Sequence, residues 1–280
     1  MILLALILAS IWMILSLQRG EVKSPFEPTP TPPRMASSYF MEAEAYFDAG
    51  KLDDPSDNQP GGLLPESIRA TATALGTEIP PDVTITPAPP RPGEPVINDA
   101  IDAYQAALAL DPSNAQAWAQ LARIQAYSSQ TLRNDTERLQ RLKEALESAD
   151  TAAELAPDDS TVRAIRAFVL DWYAYNSLVD AQTSAELLVE AEREASRAFQ
   201  LDPNNALALA FYAEILADQF KLTQAEKYAS QAVQRGPELM DTHRVYAYVW
   251  ESLGAYRQAI EEYLAAAEIT PNLAFLYIRI

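Results

Sequence analysis

The segment Leu209–Pro271 carries the clearest pattern in the chain and reads LAFYAEILADQFKLTQAEKYASQAVQRGPELMDTHRVYAYVWESLGAYRQAIEEYLAAAEITP. Three alanines and a proline recur 34 residues later: Ala213, Ala225, Ala232 and Pro237 are followed by Ala247, Ala259, Ala266 and Pro271. A fixed period of this length is typical of proteins in which one supersecondary unit stacks on the next. The small residues predict two helices per unit that approach closely. The proline predicts the end of each unit, because proline cannot continue a helix.

The same frame extends towards the N-terminus at longer spacings, with unit ends at Pro112, Pro157 and Pro203. The pattern resembles the tetratricopeptide repeat (TPR), a helix–turn–helix unit. The resemblance implies an all-α fold, a right-handed TPR α-solenoid of antiparallel helix pairs over residues 35–280. The implied repeats are 35–112 with a proline-rich insert at 53–97, 113–157, 158–203, 204–237, 238–271 and the start of a sixth at 272–280.

Repeat three departs most from the pattern. Arg163 and Arg166 stand where large apolar residues are usual, and an apolar stripe at helical spacing lies beside them. The repeat is also longer than 34 residues. We therefore expect its first helix to extend to about Asn176 and its second helix to be capped near Thr183 or Ser184.

Composition limits the function. The net charge of −18 argues against a nucleic-acid binder, whose footprint is a basic patch. The chain has no cysteine and one histidine, His243, which excludes a disulfide framework, thiolate metal sites and multi-histidine metal sites. No glycine-rich phosphate loop and no nucleophile elbow is present. The sequence therefore predicts no enzyme, no cofactor and no metal, and it favours a packing role for His243.

The N-terminal segment Met1–Leu17 is apolar apart from Ser10 and Ser16. As a helix it would be about 25 Å long, slightly short of a hydrocarbon core of about 30 Å. A cleaved signal peptide is the alternative. No basic residue precedes the apolar run, however, and the residues that follow make a poor cleavage junction. We expect an uncleaved, transmembrane-type anchor helix at 1–18.

The Pro-rich linker at 19–34 favours extended polyproline II structure and would act as a semi-rigid spacer. Arg19, Lys23 and Arg34 follow the apolar run, which would place this side of the anchor in the cytoplasm. The proline-rich composition of the linker resembles that of a stalk outside the cell, which indicates the opposite orientation. We expect the solenoid to be extracytoplasmic, at the cell surface or in the periplasm, with both orientations open.

The insert at 53–97 lies between the two predicted helices of repeat one. A loop of this length is either functional or disordered. Two predictions therefore remain open for the insert: an ordered segment that wraps over the solenoid, or a flexible segment. Asp53, Asp54, Asp57 and Asn58 crowd together near its start. They lack the alternating spacing and the glycine of a calcium loop, so no metal is predicted there.

In the TPR family the first helices line a concave groove that binds extended peptides or neighbouring subunits. The resemblance therefore implies candidate groove residues, which are Arg123, Glu214, Arg244, Tyr248 and Glu251. One TPR subclass holds a C-terminal carboxylate with lysine and asparagine. Here Ala210, Glu214, Arg244 and Tyr248 stand at those positions, so the clamp is absent and the partner is undefined.

The last residues begin a sixth first helix whose apolar side chains, Phe275, Tyr277 and Ile280, form a candidate open-end contact. A continuing natural chain, a covering molecule or a frayed end would each account for it. We expect a membrane-tethered, non-catalytic scaffold for protein partners, in the style of bacterial membrane-anchored TPR proteins. The alternative is a structural subunit that self-assembles into a filament or ring through the open end and the N-terminal helix. A third hypothesis is the targeting part of a longer enzyme.

Overall fold

The computed structural model describes residues 34–53 and 97–280. The described part is helical and contains no strand, which confirms the predicted all-α class there. Residues 35–280 form one compact unit. The helices are α1 (Ala36–Asp48), α2 (Ala100–Leu110), α3 (Ala115–Ser129), α4 (Asp135–Leu155), α5 (Ser160–Ala174), α6 (Ala181–Leu201), α7 (Ala206–Asp218), α8 (Leu222–Arg235), α9 (Met240–Ser252), α10 (Tyr256–Ile269) and the short α11 (Ala274–Tyr277).

The predicted anchor at 1–18, the linker at 19–34 apart from its last residue, and the insert at 53–97 apart from its two ends lie outside the described residues. Within the described ranges, no helix combines the length and the apolar character needed to cross a membrane.

Consecutive helices pack as pairs: α1 with α2, α3 with α4, α5 with α6, α7 with α8 and α9 with α10. The first helices of neighbouring pairs also contact one another, in the order α3, α5, α7 and α9. Each of these first helices also contacts the second helix of the preceding pair. This pattern of nearest-neighbour contacts is consistent with an α-solenoid.

The ends of the helices follow from local side-chain chemistry. Asn114, Asn134, Asp159 and Asn205 cap α3, α4, α5 and α7, each accepting a hydrogen bond from a backbone N–H of the first turn. The second helix of every pair ends two residues before a proline: at Leu110, Leu155, Leu201, Arg235 and Ile269. Proline restricts the residue before it to extended backbone, so each of these helices stops there.

Repeat three replaces apolar contacts by ion pairs. Arg166 on α5 contacts Asp150 on α4 and Glu190 on α6, both at 2.7 Å. Arg163 contacts Glu194 on α6 at the same distance. The two arginines thus connect their helix to its neighbours through charge, which explains why they can stand at positions where large apolar residues are usual.

The predicted helix ends of repeat three differ from those observed. Helix α5 ends at Ala174, and α6 begins earlier than expected, at Ala181. Its cap is Asp180, whose carboxylate accepts hydrogen bonds from the backbone N–H groups of Gln182 and Thr183. Aspartate caps a helix as well as serine does and better than threonine does. Asp180 precedes both Thr183 and Ser184 in the chain, so the helix begins directly after the aspartate.

The turns inside repeats one, four and five share a left-handed residue. Gly50 and Gly254 have φ of 72° and 74°, and Phe220 has φ of 59° at the matching position of repeat four. Gly50 also lies against the segment that precedes α11. A Cβ at Gly50 would overlap the Cβ of Asn272 and stand 2.5 Å from its carbonyl oxygen. The turn of the first repeat therefore contacts the start of the sixth.

We expect Gly50→Ala to destabilise the chain more than Gly254→Ala. Both substitutions force alanine into left-handed backbone, at a cost of about 1–2 kcal/mol. A Cβ at Gly254 meets nothing within 4 Å, whereas at Gly50 it would push Asn272 away and add about 1–3 kcal/mol. Urea unfolding of the full chain, followed by circular dichroism, measures both. Equal losses for the two variants would contradict the contact between the first turn and Asn272.

Candidate functional site

The first helices α5, α7 and α9 line a cavity of about 550 Å³, called the channel below. The start of α4 and the residues that follow α5 form two further walls. The remaining wall is formed by α10 and by the C-terminal residues from Phe275 onwards. The volume lies within the usual range for ligand-binding clefts.

A buried ion pair occupies the wall of the channel. Arg244 on α9 donates two parallel hydrogen bonds to Glu214 on α7, with N–O distances of 2.7 and 2.6 Å. Trp172 donates from its indole nitrogen to the same carboxylate at 3.1 Å. The guanidinium lies 5.4–5.6 Å from the ring centroids of Tyr127, Phe168 and Trp172, within reach of cation–π attraction. Bidentate geometry and the aromatic surroundings hold Arg244 in one orientation.

A second charged contact spans distant repeats. Arg123 on α3 lies over the ring of Phe47 on α1, 4.8 Å from its centroid, and 3.8 Å from the carboxylate of Asp241 on α9. Tyr127 donates a hydrogen bond to the same aspartate. Repeats one, two and five are thereby joined through Arg123, which contacts the ring of Phe47 and the carboxylate of Asp241.

The candidate groove residues fall into two places. Glu214, Arg244 and Tyr248 line the channel, whereas Arg123 and Glu251 lie outside its wall. Glu251 accepts a hydrogen bond from Tyr263 and pairs with Arg279, both at 3.0 Å.

The candidate open-end residues are also separated. Phe275 lines the channel, and its ring stacks on the ring of Tyr127 with 5.3 Å between the centroids. The neighbouring Leu276 is fully buried. Tyr277 and Ile280 remain largely exposed, and the Tyr277 hydroxyl donates to the carbonyl of Pro271. The apolar end thus contacts the inside of its own solenoid through Phe275 and Leu276.

Sequence reasoning missed two carboxyl groups in the channel, Asp171 on α5 and Asp218 at the end of α7. Asp171 is 1% exposed and lies in the wall beside Trp172. The signal was an acidic residue inside an apolar run, between Leu170 and Trp172. A charged residue is almost never fully buried unless it has a partner or a task.

The two carboxyl groups lie within hydrogen-bonding distance of each other. Burial raises the pKa of Asp171 well above its usual range, and the negative charges of Asp218 and Glu214 raise it further. Burial likewise raises the pKa of Asp218 to about 6, although Tyr248 donates a hydrogen bond that opposes the shift. Two carboxylates in contact repel each other, so the pair holds a shared proton.

Both ring nitrogens of His243 lie within hydrogen-bonding distance of oxygen atoms. Its Nδ1 lies 2.7 Å from the carboxylate of Glu262, and its Nε2 lies 3.0 Å from the carbonyl of Pro237. The hydrogen bond to Glu262 raises its pKa. Among the described residues, no group of three histidine or acidic side chains could hold a metal ion.

No protein-family model matches the chain. No curated protein matches it either. Several solved structures are similar to it. TTC0263, a TPR protein of Thermus thermophilus, is 20% identical over 64% of this chain and 86% of its own length, with a TM-score of 0.49. MamA is 16% identical over 63% of this chain and 84% of its own, with a TM-score of 0.33. YrrB, described as a TPR protein with an unusual peptide-binding site, is 16% identical over 88% and 100%, with a TM-score of 0.34. Each of these TM-scores is below 0.5.

Arg244→Met should lower the free energy of unfolding by about 3–5 kcal/mol, because it leaves the buried Glu214 without its cation. Adding Glu214→Gln should recover more than half of that loss, since the amide still accepts from Trp172 and carries no charge. Arg257→Met is the matched control: its exposed pair with Glu261 is worth less than about 1 kcal/mol. Urea unfolding measures these three variants and Glu214→Gln alone. A double variant as unstable as the sum of its single variants would contradict a coupled pair.

Stability should depend on pH through Asp218 with a sign opposite to that of ordinary acid unfolding. Its folded-state pKa of about 6 lies above the reference value of 3.8, so the folded chain binds more protons than the unfolded chain between these values. The stabilisation is therefore complete below pH 3.8 and is lost as the pH rises through about 6. We expect the free energy of unfolding of the wild type, relative to Asp218→Asn, to fall between about pH 4 and about pH 7. A difference that stays constant or rises would contradict the raised pKa of Asp218.

Proposed function

We propose that the chain is a non-catalytic TPR scaffold that binds a partner polypeptide in the channel. The observation that carries this proposal is the channel itself, to which three successive first helices contribute polar and aromatic side chains around a cavity of about 550 Å³. Aromatic residues and arginine are the side chains enriched where proteins bind each other. Trp172, Tyr175, Tyr248 and Arg244 all line the cavity.

The role proposed for this site is binding without chemistry. The one histidine uses both ring nitrogens in contacts with Glu262 and Pro237, so neither is free to move a proton for a substrate. The buried carboxylate of Glu214 accepts two hydrogen bonds from Arg244. These contacts favour a rigid wall that recognises a shape and a charge.

We further propose that the scaffold is tethered to a membrane and faces away from the cytoplasm. The support is in the sequence alone: the apolar segment Met1–Leu17 and the proline-rich linker at 19–34. An anchor followed by a polyproline spacer would hold the solenoid about 30 Å from the bilayer.

Self-assembly is the second candidate, and the outer surface of α10 favours it. Tyr256, Ile260 and Leu264 follow one another at four-residue spacing and are all exposed. Tyr277 and Ile280 add exposed apolar area close to the end of the chain. A contact between this surface and a different surface of a second copy would propagate into a filament or close into a ring.

Photocrosslinking tests the scaffold proposal. A photoreactive phenylalanine analogue replaces Tyr175, an exposed residue of the channel wall, in the full chain produced in its native cells. The same analogue at Val189, exposed on α6 and away from the channel, is the matched control. We expect the analogue at position 175 to form one discrete adduct with a foreign protein, and the analogue at position 189 to form at least about fivefold less of that adduct. The photoreactive group reacts only with atoms it can touch, so it labels a partner that is bound beside it.

The mass of the adduct separates the candidates. An adduct of twice the mass of the chain would support self-assembly and contradict a foreign partner. The same diffuse set of adducts from both positions, or none from the channel, would contradict binding in the channel.

A further inference from the structure

Two carboxyl groups of the channel wall form no ion pair with the arginines of that wall. Its three arginines are already paired with carboxylates: Arg244 with Glu214, Arg138 with Asp135 and Arg279 with Glu251. Of the acidic residues in the wall, Asp171 and Asp218 are paired with no cation of the described residues. Two neighbouring carboxyl groups in a partly enclosed cavity therefore form no ion pair with a cation of the described chain.

Asp171 adds an independent sign of a missing partner. Its side chain is almost completely buried, and its Oδ1 atom contacts no hydrogen-bond donor among the described residues. Buried carboxylate oxygens are nearly always hydrogen-bonded, since an unsatisfied one keeps the full penalty of losing water. The residue lies in the cavity wall, on the border of the space that a ligand would fill.

The aromatic side chains around the pair suit a cation with an apolar stem. Trp172, Tyr175 and Tyr248 line the same cavity. Tyr248 already donates its hydroxyl proton to Asp218, and Tyr175 donates to the carbonyl of that residue at 3.4 Å. Their rings thus stand beside the carboxyl groups. Aromatic faces attract ammonium and guanidinium groups and pack against the methylene stems of lysine and arginine.

We propose that Asp171 and Asp218 hold a basic side chain, lysine or arginine, that a partner polypeptide inserts into the channel. This inference rests on the protein-binding function proposed above and names the class of side chain selected. On entry the cation donates hydrogen bonds to the two carboxyl groups, including Oδ1 of Asp171. The proton that the pair shared leaves to solvent, so both groups become carboxylates and two negative charges face the cation.

The other charged and titratable groups beside the pair do not compete for the incoming cation or for the proton that it replaces. Glu214 is neutralised by Arg244, and the hydroxyl of Tyr248 keeps its proton because burial raises its pKa. Arg138 and Arg279, in the wider wall, stay with their own carboxylates. Since binding expels a proton, the affinity for a basic side chain falls as the pH is lowered.

The test uses two pentapeptides with blocked ends, acetyl-Gly-Gly-Lys-Gly-Gly-amide and the same peptide with norleucine in place of lysine. The two side chains have nearly the same length, and only one carries a charge. Binding to the full chain is measured by calorimetry and by the shift of the tryptophan indole resonances in the NMR spectrum. We expect the lysine peptide to bind at least about tenfold more tightly at about pH 7.5, as one partly buried charge pair can provide.

The preference should depend on the two carboxyl groups. Asp171→Asn combined with Asp218→Asn keeps the size of both side chains and should reduce the lysine preference to less than about twofold. Asp158→Asn removes an exposed acid outside the channel and should leave the preference unchanged. Urea unfolding shows whether each variant is folded, and the comparison of the two peptides on the wild type needs no variant.

Each other outcome overturns the inference in a recognisable way. Equal binding of the two peptides would show a channel that binds polypeptide without selecting charge, and the scaffold proposal would stand. Binding of neither peptide would exclude uptake of a basic side chain and leave the photocrosslinking experiment to decide the scaffold proposal. A lysine preference that survives in the double variant would place the binding site elsewhere.

Discussion

The close approach of the two helices in each pair is the constraint on which the rest of the structure depends. One position on every first helix holds an alanine with no exposed surface: Ala43, Ala122, Ala167, Ala213 and Ala247. With only a Cβ at this position the backbones can pack closely, whereas a larger side chain would force them apart. Repetition of the same contact places neighbouring first helices side by side. Their remaining faces are left to hold large aromatic and charged residues.

Those faces explain the chemistry of the channel. Arg244, Glu214 and Trp172 come from three neighbouring repeats, and both Arg244 and Trp172 donate hydrogen bonds to Glu214. A buried ion pair adds little net stability, because desolvation offsets its attraction, but its geometry fixes the side chains that surround it. The partners of Asp171 and Asp218 are of a different kind. These two aspartates share a proton with each other instead of meeting a cation, which leaves charge available to a ligand.

Much of the fold could be predicted from local signals. The prolines end the second helices because proline breaks helical hydrogen bonding, and the alanine period gives the pairing because small side chains mark close contacts. Three candidate groove residues, Glu214, Arg244 and Tyr248, do line the channel. The prediction failed at the cap of α6, where Asp180 precedes the expected residues. It also gave no role to Asp171, because its importance depends on Asp218, a residue on another helix.

The sequence by itself determined the helical class, the positions at which the second helices end and the small residues at which the helices meet, because these depend on contacts within one repeat. Only the tertiary structure decided which side chains meet across the solenoid. Tyr127 and Asp241 are 114 residues apart and share a hydrogen bond, and the turn at Gly50 lies against Asn272. Such contacts depend on the curvature that accumulates from one repeat to the next. Curvature depends on the packing of every helix pair together, so no single period in the sequence contains it.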